Sequence, residues 1–257
     1  KNVKAIVPIV GDVKHVLAAL NETISQQSRP DWISYLDELR REHPSLQIRE
    51  TDQLLPQYVI RTLSDITEGQ ATIVADIGQH QMWAAQHYWY TRPHSWITSG
   101  GLGAMGYAFP AAMGAKMGRP EEEVWCITGD GGFQMTLCDL ATVAEYQVGV
   151  KIAIINNNAL GMVRQLQDLQ YSKRFVASAL PAPDFVKLAE AYGIPAMRVT
   201  AKEQVEPAFR WARETEGPVI IDFIVSPEEN VYPMIIPGYS TAHMLEDQQP
   251  ARTGGRR

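Results

Sequence analysis

The feature that most constrains the fold is a regular alternation, between residues 56 and 225, of short apolar runs with segments of helical spacing. The apolar runs cover residues 71–76, 95–99, 124–128, 150–155, 196–199 and 218–225. The helical segments cover residues 56–67, 79–89, 104–117, 135–147, 160–170, 183–192 and 202–215. Runs of this length alternating with helices predict βαβ units. We therefore expect an α/β fold, a doubly wound, mostly parallel six-stranded sheet with helices on both faces.

The residues before position 56 indicate where the domain boundaries lie. A strand over residues 3–10 leads into a helix capped by Asp12, and a stretch bracketed by prolines follows. The predicted parts are the end of a preceding domain with its connecting helices (1–43), a linker (44–56), a ligand-binding domain (57–240) and a C-terminal tail (241–257). Because the chain opens inside a strand pattern and without Met, we expect it to be the C-terminal part of a longer protein.

Charge and composition exclude several classes of function. The net charge is −6, and the basic residues are scattered rather than clustered, so we expect no nucleic-acid partner. Apolar runs of about 18 residues are missing, so we expect no membrane span. Cys126 and Cys138 are not in a metal-binding spacing, and we interpret them as free thiols in a reducing compartment.

Two consecutive predicted strands end in residues that suit a phosphate and a cation. The run 124–128 is followed by Gly-Asp-Gly-Gly at 129–132, and the run 150–155 by three asparagines at 156–158. Glycines allow close backbone approach to a phosphate, and a helix N-terminus favours an anion. Asp130 and Asn157 offer hard oxygen ligands for Mg²⁺, which needs few protein ligands. Each segment alone could equally be a tight turn or a helix cap.

A glycine-rich segment at 99–106 follows another predicted strand. It contains the spacing G-x-G-x-x-G at 101–106, which also occurs in dinucleotide-binding folds. That alternative requires an acidic residue about 20 residues further on, at the end of the next strand. Asp130 lies too far along the chain, so the dinucleotide interpretation is the weaker one. The segment could also be a turn that allows close packing.

A third polar segment, Gly-Gln-His-Gln at 78–81, follows the run 71–76. Gln79 and His80 can both donate hydrogen bonds to a diphosphate oxygen. A histidine near a helix start is also often only a capping or surface residue.

Taken together, these segments resemble the catalytic subunit of acetohydroxyacid synthases (acetolactate synthases), which are thiamine-diphosphate enzymes. The resemblance rests on GQHQMWAAQ, SGGLGAMG, GDGGFQM and NNNALGMVRQ in that order, and on VYPMIIPG near the end. It covers essentially the whole chain and implies that 57–240 is the domain binding thiamine diphosphate and Mg²⁺.

The resemblance also implies the role of each site residue. The Mg²⁺ ligands would be Asp130, Asn157 and the backbone oxygen of Ala159. Met105 would hold the cofactor's bent conformation, and Gly103 and Met105 would contact its pyrimidine ring through their backbones. The residues expected at the diphosphate are Gln79, His80, Gly131, Gly132, Leu160, Gly161 and Met162.

The implied reaction condenses pyruvate with a second 2-keto acid, pyruvate or 2-ketobutyrate, in branched-chain amino-acid biosynthesis. In the family, a glutamate of a partner subunit's N-terminal domain and most of an FAD-binding domain complete the enzyme, so we expect these 257 residues alone to be inactive. The resemblance further implies a homodimer or larger assembly, a possible regulatory subunit, and a cytoplasmic location in bacteria or a plastid location in plants.

Two residues depart from the family's pattern. Gly132 stands where a Ser or similar polar residue is common, so one hydroxyl contact is lost. Leu166 stands where a Trp is usual, a residue associated with 2-ketobutyrate preference and with inhibitor binding. We therefore expect weak 2-ketobutyrate preference and inhibitor tolerance in the complete enzyme. Leu166 could also simply pack in the protein interior.

Two alternatives to the synthase remain open at this stage. Glyoxylate carboligase, oxalyl-CoA decarboxylase, benzoylformate decarboxylase and a sulfoacetaldehyde-cleaving enzyme share the GDG…NN element. The chain could also be an inactive module for cofactor binding or dimerisation.

Overall fold

The computed structural model describes residues 4–44, 46–181, 183–236 and 238–246. The residues outside these ranges are 1–3, residue 45 of the predicted linker, residue 182, Pro237 of the VYPMIIPG run and residues 247–257 of the predicted tail. The chain divides into two compact units between residues 44 and 45.

The first unit contains two helices, α1 (Val13–Thr23) and α2 (Pro30–Glu42). Asp12 caps α1, since its Oδ1 accepts from the Lys14 N–H at 2.9 Å, as predicted. Neither helix has a buried residue. The strand predicted at 3–10 is wrong for residues 4–10, which form no strand. A strand needs a paired neighbour, and the described part of this unit provides none.

The second unit is built on one six-stranded sheet. Its strands are β1 (Thr72–Ala75), β2 (Trp96–Thr98), β3 (Val124–Gly129), β4 (Lys151–Asn156), β5 (Ala196–Val199) and β6 (Val219–Ile224). The order across the sheet is β2-β1-β3-β4-β6-β5, and every pair is parallel. All six predicted strands are therefore confirmed. The chain leaves β1 toward β2 and later returns to its other side at β3, which places a topological switch point beside β1.

Helices cover both faces of this sheet, as predicted. They are α3 (Pro56–Ile66), α4 (Gln79–His87), α5 (Ala108–Gly118), α6 (Asp130–Gln134), α7 (Leu140–Glu145), α8 (Gly161–Gln170), α9 (Phe185–Ala191) and α10 (Val205–Glu214). Short 3-10 turns lie at Leu137–Asp139, Lys202–Gln204 and Thr241–His243. Among the described residues, no helix is long and apolar enough to cross a membrane.

Alternation along the strands divides the apolar interior into two layers. Ile73, Trp125 and Ile155 point into a layer covered by α3, α4 and α10. Their neighbours Val74 and Cys126 point into the other, covered by α5, α6, α7 and α9. Strands buried on both faces must be apolar at nearly every position, which explains the continuous runs in the sequence.

The helix predicted at 135–147 starts in the wrong place. The chain becomes helical at Asp130, directly after β3, and breaks near Thr136 before α7 begins. Phe133 is fully buried, which anchors the short α6 against the sheet. Asp130 thus lies in the first turn of a helix rather than in a loop.

The helix predicted at 104–117 also begins later, at Ala108. Gly103 and Gly106 have φ angles of 65° and 84°, in the left-handed region. A right-handed helix cannot run through such residues, so α5 starts only after Gly106.

Candidate cofactor site

A cavity of about 200 Å³ lies at the carboxyl ends of the central strands, beside the switch point. The helices α4, α6 and α8 all begin at this cavity, directly after β1, β3 and β4. Free backbone N–H groups and the positive ends of the helix dipoles therefore converge on one space. This arrangement favours an anion with several oxygen atoms, such as a diphosphate.

Asp130 is the buried carboxylate of the cavity. Its side chain is almost fully enclosed, and its Oδ2 has no hydrogen-bond partner. Burial raises the pKa of Asp130 to about 7, although backbone N–H groups of Gly131, of Asp130 itself and of Ala159 oppose the shift. An unpartnered carboxylate oxygen inside a protein is unfavourable on its own, so this atom marks a place for a cation.

Asn157 faces the same cavity from the end of β4. Its Oδ1 accepts from the Ala159 N–H at 3.1 Å, and its Nδ2 donates to Gln79 Oε1 at 3.2 Å. The Ala159 N–H that bonds Asn157 is also among the groups that lower the pKa of Asp130. The two side-chain oxygens therefore lie near one backbone group and can serve one ion.

Gln79 is buried at the start of α4, and both hydrogens of its amide are used. Its Nε2 donates to Gln165 Oε1 at 2.8 Å and to the Glu229 carbonyl at 3.0 Å. In this arrangement the side chain has no donor left for a diphosphate. Its backbone N–H, in the first turn of α4, is the group able to serve that purpose.

His80 is buried against Gly78 and Gly129, and its ring lines the cavity. Burial lowers the pKa of His80 to about 3, with a backbone hydrogen bond to Asp76 acting in the opposite direction. The ring is therefore neutral near pH 7, and its Nε2 has no hydrogen-bond partner.

Met105 reaches the cavity from the glycine-rich segment, whereas Gly103 does not line it. The carboxylate of Asp76 holds the end of this segment by accepting from the Gly106 N–H at 2.9 Å and from Thr128 Oγ1 at 3.1 Å. Asp76 thus places a carboxylate just before α5, where a dinucleotide pyrophosphate would have to bind. That position argues against the dinucleotide interpretation.

The remaining predicted residues fall around this centre. Those that line the cavity are Gly131, Gly132, Ala159, Leu160, Gly161 and Met162. Leu166 lies one helical turn beyond Met162, is half-buried and is not among the residues that line the cavity.

The donor set fits a cation shared with a phosphate-bearing ligand. Within the described residues, no three His, Cys, Asp or Glu side chains are grouped to hold a metal. The lining residues that could ligate a cation are instead Asp130 by its carboxylate, Asn157 by its amide oxygen and Ala159 by its backbone carbonyl. Mg²⁺ commonly completes such a partial set with phosphate oxygens and water.

Comparison with known families agrees with this geometry. Residues 76–223 match the model for the thiamine pyrophosphate enzyme, C-terminal TPP binding domain. The chain belongs to the thiamine pyrophosphate enzymes. The matched range runs from the end of β1 to β6 and so includes all three helix N-termini of the cavity.

Within this family the chain is a homologue of acetolactate synthase large subunits. It is 48% identical over 253 residues to an acetolactate synthase of Mycobacterium leprae, covering 93% of this chain and 40% of that protein. It is 47% identical over 248 residues to the acetolactate synthase large subunit of Corynebacterium glutamicum (92% and 40%). Identity to the isozyme 2 large subunit of Escherichia coli is 40% over 244 residues (95% and 44%). The chain thus spans about two fifths of these relatives.

Sequence reasoning missed two residues that organise this thiamine pyrophosphate domain. Asp76 appeared only as the end of a strand, and Gln165 only as part of a helical segment. Asp76 could have been noticed as a carboxylate ending a buried apolar run. Gln165 has no local signal, because its partners lie 66 and 86 positions away in the chain.

Proposed function

We propose that this cavity binds thiamine diphosphate with Mg²⁺, and that the chain is the cofactor-anchoring part of an acetolactate synthase. The observation that carries the proposal is the buried, unpartnered Oδ2 of Asp130 at the point where three helix N-termini converge. A cation there balances the carboxylate, and a diphosphate uses the free N–H groups.

Each residue has a proposed task. Asp130, Asn157 and the Ala159 carbonyl hold the cation. The diphosphate is held by His80, by the backbone of Gln79 and by the starts of α6 and α8. The residues at these two helix starts are Gly131, Gly132, Leu160, Gly161 and Met162. A Cβ at Gly131 would lie 3.1 Å from both the Leu160 and the Leu180 side chains, so these side chains would have to shift to admit it.

Met105 and Gly103 are proposed to face the organic part of the cofactor. Met105 already reaches the cavity, and the Asp76 carboxylate fixes the Gly106 N–H next to it. The flexible thioether of Met105 suits an irregular gap between two rings. When bound, thiamine diphosphate supplies the electron sink needed to decarboxylate a 2-keto acid.

The reaction that we propose for the complete protein is condensation of pyruvate with a second 2-keto acid. Its relatives are named acetolactate synthases, and the chain matches two fifths of their length. We propose that FAD, a homodimer or larger assembly and any regulatory subunit involve parts beyond these residues. A cytoplasmic location, or a plastid one in a plant, belongs to the same proposal.

Leu166 bears on the choice of the second substrate. It is half-buried on α8, on the turn after Met162. We propose that the complete enzyme has a weak preference for 2-ketobutyrate, because a large aromatic surface is missing here. Competition between pyruvate and 2-ketobutyrate as acceptor checks this, and a strong preference for acetohydroxybutyrate contradicts it.

Calorimetry of thiamine diphosphate binding, with and without Mg²⁺, tests the proposed function. We expect binding that requires Mg²⁺ and that Asp130→Ala weakens by about 100-fold or more, because the cation loses its only carboxylate ligand. Asp65→Ala, on the exposed side of α3, is the matched control and should leave binding unchanged.

Two results contradict the proposal. Thiamine diphosphate binding that is equal with and without Mg²⁺ overturns the assignment of the cation site. Tight binding of NADH in place of thiamine diphosphate revives the dinucleotide interpretation.

A further inference from the structure

Three buried side-chain amides form a continuous line from the backbone of Val231 to the cavity. They belong to Gln165, Gln79 and Asn157. We propose that Gln165 is a positioning residue for the cation: acting through Gln79, it fixes the amide of Asn157 with its oxygen free to bind the ion. This inference rests on the proposed function and assigns a role to a residue outside the cavity lining.

The first link removes any ambiguity in the orientation of Gln165. Its Oε1 accepts from the Val231 N–H at 2.8 Å, and its Nε2 donates to the Val231 carbonyl at 3.0 Å. A backbone N–H can only donate and a carbonyl can only accept. Turning the amide over would place its NH₂ group against the Val231 N–H and its oxygen against the Val231 carbonyl. Both Gln165 and Val231 are buried, so water cannot relieve that mismatch.

The second link fixes the orientation of the Gln79 amide. The Oε1 of Gln165 also accepts from Gln79 Nε2 at 2.8 Å, and the Glu229 carbonyl accepts from the same nitrogen at 3.0 Å. Two acceptors on one side require the NH₂ group of Gln79 to face them. Its Oε1 must therefore face the opposite way, toward Asn157.

The third link reaches the proposed ligand. Gln79 Oε1 accepts from Asn157 Nδ2 at 3.2 Å, so the nitrogen of Asn157 is held on that side. Its Oδ1 accepts one bond, from the Ala159 N–H, and keeps a second lone pair for a cation. A reversed amide would turn NH₂ toward the ion and repel it.

The backbone at the start of the line is itself fixed. Val231 packs into the apolar layer beneath α3, α4 and α10. Glu229, whose carbonyl shares Gln79, is buried, and its carboxylate accepts from Gln57 at 2.8 Å and bonds Arg49 at 2.6 Å. We call residues 229–234 the closing segment. Because this segment is held from both sides, it can serve as a rigid reference for the three amides.

Substitutions on α8 test the proposal in the full chain. Gln165→Met keeps the length of the side chain and removes the amide. Gln165→Glu is the conservative rescue, because a carboxyl group buried there stays protonated and can both donate and accept. Gln167→Met is the matched control, since Gln167 pairs with the backbone of Val176 in the same manner but is not connected to Asn157.

The main measurement is Mn²⁺ affinity by electron paramagnetic resonance in the presence of thiamine diphosphate. We expect Gln165→Met to weaken Mn²⁺ binding by about 10-fold or more, as removal of a group that orients a metal ligand commonly does. Gln165→Glu should restore most of the affinity, and Gln167→Met should leave it unchanged. Folded Gln165→Met with the affinity of the unmodified chain overturns the proposal, and so does Gln165→Glu that binds as weakly as Gln165→Met.

A second measurement needs no folded variant and no metal. Hydrogen exchange of the Asn157 side-chain amide, followed by NMR in the unmodified chain, should be slow because its NH₂ group is buried against Gln79. Fast exchange overturns the inference. The proposed function fails differently: if the unmodified chain binds no Mn²⁺ with thiamine diphosphate, the site assignment itself is wrong, whatever the variants do.

Discussion

The buried polar groups on the two sides of the cavity differ in their hydrogen bonding. On the side of Asp130 and His80, two enclosed atoms, Oδ2 and Nε2, have no partner. On the side of Gln79 and Gln165, both amide groups are fully engaged. Unpartnered buried atoms are costly and are kept where a ligand completes them, whereas engaged ones hold geometry. This difference fits our proposal that the first side binds the ligand and the second side positions it.

We expect the largest effect from Gly161→Ala, which would disturb the side-chain amides of Gln79 and Asn157. A Cβ at Gly161 would collide with Gln79 Oε1, which cannot move away because Gln165 and Glu229 hold its amide. We expect a loss of about 2 kcal/mol in the free energy of unfolding, as for other overpacked interiors. Urea denaturation measures it.

Gly114→Ala is the matched control for that substitution. Gly114 lies inside α5, and a Cβ there would meet no atom within 4 Å. We expect a gain of about 0.5–1 kcal/mol, because alanine favours a helix interior over glycine. Equal stability of the two variants would show that Gln79 is free to move and would weaken the contrast between the two sides.

An unpartnered nitrogen also lies outside the cavity, on His87, where we expect it to affect stability and not cofactor binding. His87 is buried, its Nδ1 has no partner, and burial together with the nearby Arg61 lowers the pKa of His87 to about 4. Above pH 6.5 the side chain is neutral in both states. As the pH falls from 6.5 to 4, only the unfolded chain takes up the proton, so stability falls.

His87→Gln should remove one proton from that dependence, which lowers the slope by at most about 1.4 kcal/mol per pH unit. Urea denaturation at pH 7, 6 and 5 checks it. Binding of thiamine diphosphate at pH 7.5 should be unchanged. A slope equal to that of the unmodified chain would mean that His87 gains a partner on protonation.

We expect the smallest effect from removing the buried charge of Asp130. Asp130→Asn should raise the free energy of unfolding at pH 8, without Mg²⁺, by about 1 kcal/mol, because a buried charge with an unpartnered oxygen is replaced by a neutral group. The pKa of about 7 means that the carboxylate is charged at this pH. A stability loss would show that backbone N–H groups already compensate the charge.

The sequence was informative where local pattern and chemistry coincide. All six strands could be predicted, because burial on both faces requires continuous apolar runs. Asp130 and Asn157 could be paired because each follows such a run, and parallel strands bring their carboxyl ends to one edge. The family resemblance was confirmed by the domain match over residues 76–223 and by the identity to acetolactate synthase large subunits.

Other features depend on contacts that no local pattern contains. The start of α6 at Asp130 follows from the burial of Phe133, which only the packed sheet provides. The delayed start of α5 follows from the left-handed Gly106. Gln79 was predicted as a diphosphate donor, but its side-chain hydrogens are used by Gln165 and Glu229, and those partners are distant in sequence.

The position of the closing segment in the chain has a consequence for biosynthesis. A ribosome adds residues 229–234 after all six strands, and β4 can find its neighbour β6 only once the intervening helices and β5 have been made. Pairings of such long sequence separation form slowly. Asp130 and Asn157 are translated early, whereas Val231, whose backbone holds the Gln165 amide, is added only after β6. On the proposal above, a chain stalled before Glu229 has Asp130 and Asn157 but lacks the backbone partners of Gln79 and Gln165 that fix the Asn157 amide.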